Sequence, residues 1–278
     1  MSDQYMKNLT FENIAKACEG EYIGDEVLLS DRIKGAVIDS RLVEEGYLFI
    51  PVKGEKVDGH KFIPDVFQKG AAIVLSEKKL EDPAGPYVLV DSTTEAMKKL
   101  AAFYRKSLDI KVVGITGSVG KTTTREMIAA ALSARYHVYK TPGNSNSQVG
   151  VPITVSEITK ADEVGVLELG MSEPGELTVI AQIAKPDIAV ITNIGITHIE
   201  QLGSRENIYK EKMTIQDGLS DGGVLVLNGD DDMLQKTKGK DGVKTVYYGT
   251  GENCDYRAVD LVLTDGKAEF TALHGGKT

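Results

Sequence analysis

The stretch Lys111-Val-Val-Gly-Ile-Thr-Gly-Ser-Val-Gly-Lys-Thr-Thr-Thr124 constrains this chain more than any other. An apolar strand runs into a glycine-rich turn and then into a helix start. Gly117 and Gly120 permit a tight turn whose backbone N–H groups converge on an anion, and the helix opening near Lys121 adds the positive end of its dipole. Lys121 can then reach terminal phosphates, and the Thr122 hydroxyl can ligate Mg²⁺. The strict pattern G-x-x-x-x-G-K-[ST] asks for glycine where this chain has Ile115, so the loop proper is Thr116-Gly117-Ser118-Val119-Gly120-Lys121-Thr122, followed by Thr123. A chance glycine turn is the alternative, and the joint occurrence of strand, turn, Lys-Thr and helix speaks against it.

With 278 residues, 41% of them hydrophobic, the chain has room for two folded domains. A net charge of -9 gives no general attraction to nucleic acid or to an anionic membrane, so a phosphate site must be a local basic spot in an acidic protein. Cys18 and Cys254 have no metal-ligand spacing and fit a reducing compartment. The polar start and the lack of an apolar run approaching about 18 residues argue against a signal peptide or membrane span. The expectation is a cytoplasmic monomer that engages neither nucleic acid nor membrane.

Residues 9–19 have the spacing of a short amphipathic helix capped by Thr10, with Phe11, Ile14, Ala15 and Cys18 on one face. Strands follow at Val37–Arg41 and Tyr47–Val52, joined through Glu44-Glu-Gly46, and a polar loop at Lys53–His60. A helix at His60–Lys69, strands at Ala71–Leu75 and Tyr87–Val90, and a capping box at Ser92-Thr-Thr-Glu95 opening a helix to Ser107 complete a small α/β unit. From the phosphate loop onward, strands at Val112–Thr116, His137–Lys140, Val164–Glu168, Ile188–Thr192, Val224–Leu227 and Thr245–Tyr248 alternate with helices near 121–135, 175–184 and 205–217. Such alternation builds a mainly parallel sheet flanked by helices. Tyr256–Val262 and Lys267–Leu273 read as a closing hairpin. The fold class is therefore α/β, a small amino-terminal domain at 1–107 followed by a P-loop central domain at 108–278.

Polar groups gather where the parallel strands end, at Thr116, Thr141, Glu168, Asn193 and Asn228, which is where open sheets bind ligands. Glu168, beside a phosphate loop, is placed to hold Mg²⁺, a hard cation that wants oxygen ligands; an ordinary loop carboxylate is the plainer account. Glu173 and Glu176 read as solvent or helix-start charges. His198 follows the next strand end, with a structural and a ligand role in even balance. Lys210-Glu-Lys212 reads as a solvated helix face, and nothing in the residues alone singles out Lys212. Asn228 and Asp230 can read a base edge, and a plain Asn-Gly turn accounts for them equally well. The polar loop Pro142–Gly150 either contacts substrate or is a surface turn.

Taken in order, Thr116–Thr122, the acidic segment Glu168-Leu-Gly-Met-Ser-Glu-Pro-Gly175 and the histidine segment Asn193-Ile-Gly-Ile-Thr-His198 resemble the Mur ligase family of peptidoglycan precursor synthesis. Within it, Thr141–Pro152, Asp39-Ser-Arg41 and Gly54–His60 point to the last amino-acid-adding member. The resemblance implies an ATP- and Mg²⁺-dependent ligase joining D-alanyl-D-alanine to UDP-N-acetylmuramoyl-tripeptide through an acyl phosphate, serving cell-wall biogenesis, cell shape and division. It implies that Lys121, Glu168, His198 and Lys212 are catalytic; that Thr122, Glu168, His198 and Lys212 are metal ligands, Lys212 carbamylated, with Lys210 the other candidate; and that Thr116–Thr123, Asn228 and Asp230 face the nucleotide. Ser40, Arg41, Asp58, Gly59 and His60 match the pocket for the UDP end, and Asn144 or Asn146 a substrate-facing position. Family members carry a third, carboxy-terminal dinucleotide-fold domain. The chain ends at Thr278, so the expectation is the first two domains, binding ligands with impaired turnover. Another Mur-type amino-acid ligase, or a non-catalytic UDP-sugar- or nucleotide-binding module, is the alternative.

Overall fold

The computed structural model describes residues 4–54, 57–275 and 277. Glu55 and Lys56 of the expected polar loop, and the extreme ends of the spans 1–107 and 108–278, lie outside the described residues. The chain divides into two compact units, one reaching to Asp109 and taking in Val149–Asp162, the other made of Ile110–Gln148 and the chain from Glu163 onward. The excursion at 149–162 is where the chain departs from a single division between 107 and 108. Among the described residues no helix is long and apolar enough to cross a membrane.

In the first unit α1 (Phe11–Cys18) starts where the Thr10 side chain accepts the Asn13 N–H, and it buries Phe11, Ile14, Ala15 and Cys18. After β1 (Glu21–Ile23), a 3₁₀ turn at Glu26–Ser30 leads to β2 (Gly35–Val37) and β3 (Tyr47–Phe49). These two pair in parallel, so the segment through Glu44-Glu-Gly46 is a crossover and not a hairpin turn. A 3₁₀ turn at Gly59–Phe62 runs into α2 (Ile63–Gln68), then β4 (Ile73–Ser76), β5 (Tyr87–Leu89) and α3 (Thr93–Ser107). The sheet order is β1-β5-β4-β3-β2, with β1 alone antiparallel. Phe49, Val74, Val66 and Ile63 form the core between sheet and α2.

The second unit begins with β6 (Lys111–Thr116), α4 (Lys121–Ser133) and β7 (Val138–Lys140). The next helix, α5 (Gly150–Glu157), buries Val151, Pro152, Thr154 and Val155 and belongs to the first unit, where the Tyr104 hydroxyl of α3 donates to the Ile158 carbonyl at 2.7 Å. The chain then returns through β8 (Val164–Glu168), α6 (Glu176–Ala184), β9 (Ile188–Ile191), α7 (Ile199–Leu202), α8 (Arg205–Met213), β10 (Val224–Asn228), β11 (Lys244–Gly249), β12 (Tyr256–Thr264) and β13 (Lys267–His274). The sheet order is β13-β12-β11-β10-β9-β6-β8-β7, parallel except for the hairpin β12–β13. Asp265 and Gly266 both take positive φ, the paired left-handed conformation that a two-residue hairpin turn requires. Val113, Ile115, Val166 and Val190 form the core on which α4 lies through Ala129.

Successive strands lie on one side of β6 as far as β8 and on the other from β9 onward. That reversal leaves a crevice at the carboxyl ends of β6, β8 and β9.

Gly218, in the 3₁₀ turn after α8, lies so close to α6 that a Cβ there would sit 2.1 Å from the Ala181 carbonyl oxygen. Backbone cannot move aside as a side chain can, so Gly218→Ala should lower stability by about 1–3 kcal/mol. A shift of the urea midpoint at constant slope checks this.

Candidate functional site

The second unit assembles the site around the phosphate loop. Gly117 takes φ 150° with its Cα against β9: a Cβ would fall 1.8 Å from Thr192 Oγ1. Gly120 sits at φ 80° with open space around its missing Cβ and caps α4 without any side-chain bond. The first helical bond is donated by Thr124 to the Gly120 carbonyl at 2.9 Å, so the N–H groups of Lys121, Thr122 and Thr123 have no partner within the helix. They point where an anion would be held. Thr116 Oγ1 is fully buried and has no hydrogen-bond partner among the described residues.

The loop is held open from the other side by the histidine segment. Ser118 N–H donates to the Asn193 carbonyl at 3.1 Å and Val119 N–H to Asn193 Oδ1 at 3.1 Å. Thr192 Oγ1 and Asn193 Nδ2 both donate to the Val119 carbonyl, at 2.6 and 3.1 Å, and Gly195 N–H donates to Ser118 Oγ at 2.8 Å. Val119 itself is exposed. Lys121 Nζ folds back to donate to the Gly117 carbonyl at 2.9 Å, and burial lowers its pKa while Glu168 partly opposes this.

Glu168 ends β8 and is buried, yet both of its oxygens are met. Oε2 accepts from Thr122 Oγ1 at 3.0 Å and from Arg125 Nη1 at 3.3 Å; Oε1 accepts from Asn146 Nδ2 at 2.8 Å. Thr141 Oγ1 accepts the Glu168 backbone N–H at 2.9 Å. Of the two asparagines expected near substrate, Asn146 reaches the site, whereas Asn144 is exposed. Arg125 was not singled out from the sequence. Its signal is spacing, since it lies three residues after Thr122 on the same helix face.

His198 stands at the start of α7 with φ 63°. Burial pushes the Glu176 carboxyl up, but N–H donation from Ser172 and Glu173, the Gln148 amide and the nearby His198 outweigh it and hold that carboxyl low. Glu176 is thus the helix-start charge its position suggested, with Ser172 N–H at 2.7 Å. Glu211, read from the sequence as part of a solvated charge run, is buried and accepts from Gly175 N–H at 2.9 Å and Leu177 N–H at 3.2 Å, closing the start of α6. Its neighbour Lys212 is 2% exposed, and no hydrogen bond or ion pair joins its ammonium to another described residue. Burial, with Lys121 adding a like charge and Glu211 partly offsetting it, brings the Lys212 pKa down to about 7.

Asn228 and Asp230 are occupied with backbone. Asn228 Nδ2 donates to the Thr192 carbonyl at 2.9 Å and its Oδ1 accepts the Asp230 N–H; the Asp230 carboxylate accepts from Thr250 N–H at 2.8 Å and Gly251 N–H at 3.1 Å. Both tie strand ends together.

The remaining expected residues belong to the first unit. Asp58 Oδ1 lies 2.6 Å from His60 Nδ1, and His60 Nε2 accepts the Glu77 N–H at 3.2 Å, so the ring bridges two loops. Gly59 is packed on Val52, where a Cβ would meet backbone nitrogen at 2.9 Å. The Ser40 carbonyl accepts Lys69 Nζ at 2.8 Å, and the Arg41 guanidinium forks onto Asp39. Of this group Arg41 lines a cavity of about 700 Å³ along the edge strand β2, together with Lys34, Tyr47, Tyr104 and Lys160.

Thr122 Oγ1 and Glu168 Oε2 offer two converging oxygens to a hard cation, with the loop N–H groups and Lys121 beside them for phosphates. These donors fit Mg²⁺ with a nucleotide polyphosphate. Among the described residues no three of His, Cys, Asp and Glu gather as a ready-made metal cage.

Residues 115–277 match the Mur ligase middle domain and residues 32–105 the Mur ligase family catalytic domain. The UDP-N-acetylmuramoyl-tripeptide--D-alanyl-D-alanine ligase of Bacillus subtilis (strain 168) is 41% identical over 264 residues, covering 94% of this chain and 57% of that protein. A crystal structure of MurF from Acinetobacter baumannii superposes with TM-score 0.87 at 30% identity, over 96% of this chain and 58% of that one. MurF ligase from Thermotoga maritima in complex with ADP gives TM-score 0.79 at 34% identity, over 87% and 56%. The chain thus spans less than two thirds of the length of these relatives.

Because the Lys212 pKa stands at about 7 in the folded chain against an ordinary 10.5, the unfolded chain binds the extra proton between those values. Stability should therefore rise with pH from about 7 toward 10.5, by up to about 1.4 kcal/mol per unit. Below 7 the ammonium is charged in both states and its burial cost is felt in full. Lys212→Met should remove that slope in urea titrations run in CO₂-free buffer.

Proposed function

The chain belongs to the Mur ligase family, and from that premise we propose that it is the amino-terminal and central part of an ATP-dependent ligase adding D-alanyl-D-alanine to UDP-N-acetylmuramoyl-tripeptide in peptidoglycan precursor synthesis. The observation behind this reading is the joint geometry of an open phosphate loop and a buried carboxylate, Glu168, bonded to the Thr122 hydroxyl at 3.0 Å. Two free cysteines are in keeping with a cytoplasmic site of action.

When bound, Mg·ATP supplies the γ-phosphoryl group that converts the peptide carboxylate into an acyl phosphate open to the amine, and the metal offsets the charge of the meeting anions. The chain's own residues prepare the place. The N–H groups of Lys121, Thr122 and Thr123 and the α4 dipole receive phosphate oxygens without reorganising, because the loop is braced by Asn193 and Thr192. Lys121, lifting from the Gly117 carbonyl, neutralises the terminal phosphates. Thr122 and Glu168 would hold the first Mg²⁺, and His198 with a carbamylated Lys212 would hold the second.

Burial of an unpaired ammonium against Lys121 supports the carbamate. The neutral Lys212 amine adds to CO₂ with loss of one proton, and the resulting N-carboxylate turns a repelled cation into an oxygen ligand of opposite charge. Position also favours Lys212 over Lys210, since Lys212 is the buried one of the pair. The cavity beside β2, lined by three tyrosines, Lys34, Arg41 and Lys160, supports an amino-terminal pocket for the UDP end, with rings for the base and cations for the diphosphate.

Calorimetric titration with Mg·ATP, with UDP-N-acetylmuramoyl-tripeptide and with UDP-glucose tests the assignment. Binding of the first two in clear preference to UDP-glucose is expected, and Lys121→Ala should weaken Mg·ATP by at least about tenfold, the worth of a charge-assisted bond. Binding of Mg·ATP alone would remove the substrate assignment. For the carbamate, ¹³C-bicarbonate should give a protein-bound resonance absent from Lys212→Arg; persistence of that signal in the variant would place the modification elsewhere.

A further inference from the structure

Arg125 is the one buried cation of the site to which neither the phosphate loop nor the expected metal ligands give a task. It is 5% exposed. Nη1 donates to Glu168 Oε2 at 3.3 Å and to the Gly143 carbonyl at 2.8 Å, while Nε and Nη2 fork onto Glu126 Oε1 at 3.1 and 2.7 Å. The other Glu126 oxygen takes Lys140. Glu168 Oε2 is also the oxygen that accepts the Thr122 hydroxyl. The oxygen offered to a divalent cation thus already faces a guanidinium, which no working pH discharges.

We propose that Arg125 is a positioning residue that holds the charge of Glu168 in check, so that a divalent cation alone binds weakly until phosphates bring the missing negative charge. This rests on the metal and nucleotide reading above. A fixed positive charge against a ligand oxygen repels an incoming cation through a poorly screened interior, where one nearby charge is worth an order of magnitude in binding. Phosphates restore the balance, since their charge adds to that of Glu168. Glu126 moderates the effect by drawing on the far side of the same guanidinium. A purely structural Arg125, tying the 141–148 loop through Gly143, predicts the opposite sign, because losing that tie would loosen the Glu168 shell and weaken metal binding.

The test is a titration of Mn²⁺ alone, followed by the paramagnetic resonance of the free ion, on the whole chain without nucleotide at physiological salt. Arg125→Gln should bind Mn²⁺ about tenfold more tightly than the parent, the effect of removing one adjacent charge. Arg125→Lys, which keeps the charge, should stay near the parent value. Arg125→Gln combined with Glu168→Gln should lose the gain. Unchanged or weaker binding in Arg125→Gln, or a gain that survives loss of Glu168, overturns the proposal. Should Arg125→Gln fail to fold, Glu126→Gln decides: it frees the guanidinium to act on Glu168, and weaker Mn²⁺ binding is expected, while unchanged or tighter binding overturns the idea. Glu126 is exposed enough for salt to screen its direct field on the metal. If Mg·ATP failed to bind the parent while Arg125→Gln still gained Mn²⁺ affinity through Glu168, the ligase reading would fall and the charge check would stand.

Discussion

Glu168 is a carboxylate at the end of a central strand, almost wholly removed from water, and a buried charge of that kind persists only where its surroundings answer it. Two segments do so. Thr122 and Arg125 come from α4, Asn146 from the loop after β7, and Thr141 from the start of that loop, bonding the Glu168 backbone. The requirement to satisfy one carboxylate therefore fixes the direction of α4 and the course of the 141–148 loop relative to β8. Because α4 opens from the phosphate loop, the same bonds set where the loop's N–H groups point.

The opposite wall follows from the switch in strand order. The chain passes from one side of β6 to the other between β8 and β9, and the segment leaving β9 must cross the mouth of the crevice. There Thr192 and Asn193 take over the backbone groups of Ser118 and Val119 that a glycine-rich turn leaves unpaired. Gly117 is obligatory in this arrangement because Thr192 Oγ1 occupies the space a side chain would need. The loop is thus held open before any anion arrives, which is the condition for electrostatic stabilisation without reorganisation.

Much of this was legible because local and global signals coincide. β8 ends at Glu168 as read from the sequence, α3 starts at its capping box, and strand, turn and helix at 111–133 follow the phosphate-loop pattern. The illegible parts were decided by tertiary packing. α5 is rich in β-branched residues and contains Pro152, a composition that argues against a helix; the burial of Val151, Thr154 and Val155 in the first unit overrides it. β2 and β3 read along the chain as two strands joined by a turn, and the turn is a crossover because they pair in parallel in space. Within the site, Lys210-Glu-Lys212 looks like an exposed charge run, yet Glu211 and Lys212 are buried because α8 packs its charged stretch toward the start of α6. Asn228 and Asp230, which sequence alone left between a base-reading role and a plain turn, bond the backbone of neighbouring strand ends.

The electrostatics of the second unit are those an acidic chain would need to present a site for polyphosphate. The net charge is -9, while Lys121 and Arg125 in the first turns of α4 and Lys212 close enough to Lys121 to feel its charge form a local cationic cluster. Two of these three are nearly dry, and the charge of Lys121 adds to burial in lowering the Lys212 pKa. Such a cluster is costly when nothing negative is present and is relieved by a compact multivalent anion more than by an extended one. An extended polyanion such as nucleic acid would meet the acidic exterior before reaching the cluster, whereas a single polyphosphate fits within its reach. Burial of the charges thus favours a small phosphorylated ligand over an extended one on electrostatic grounds, and the same burial shifts Lys212 toward its neutral amine.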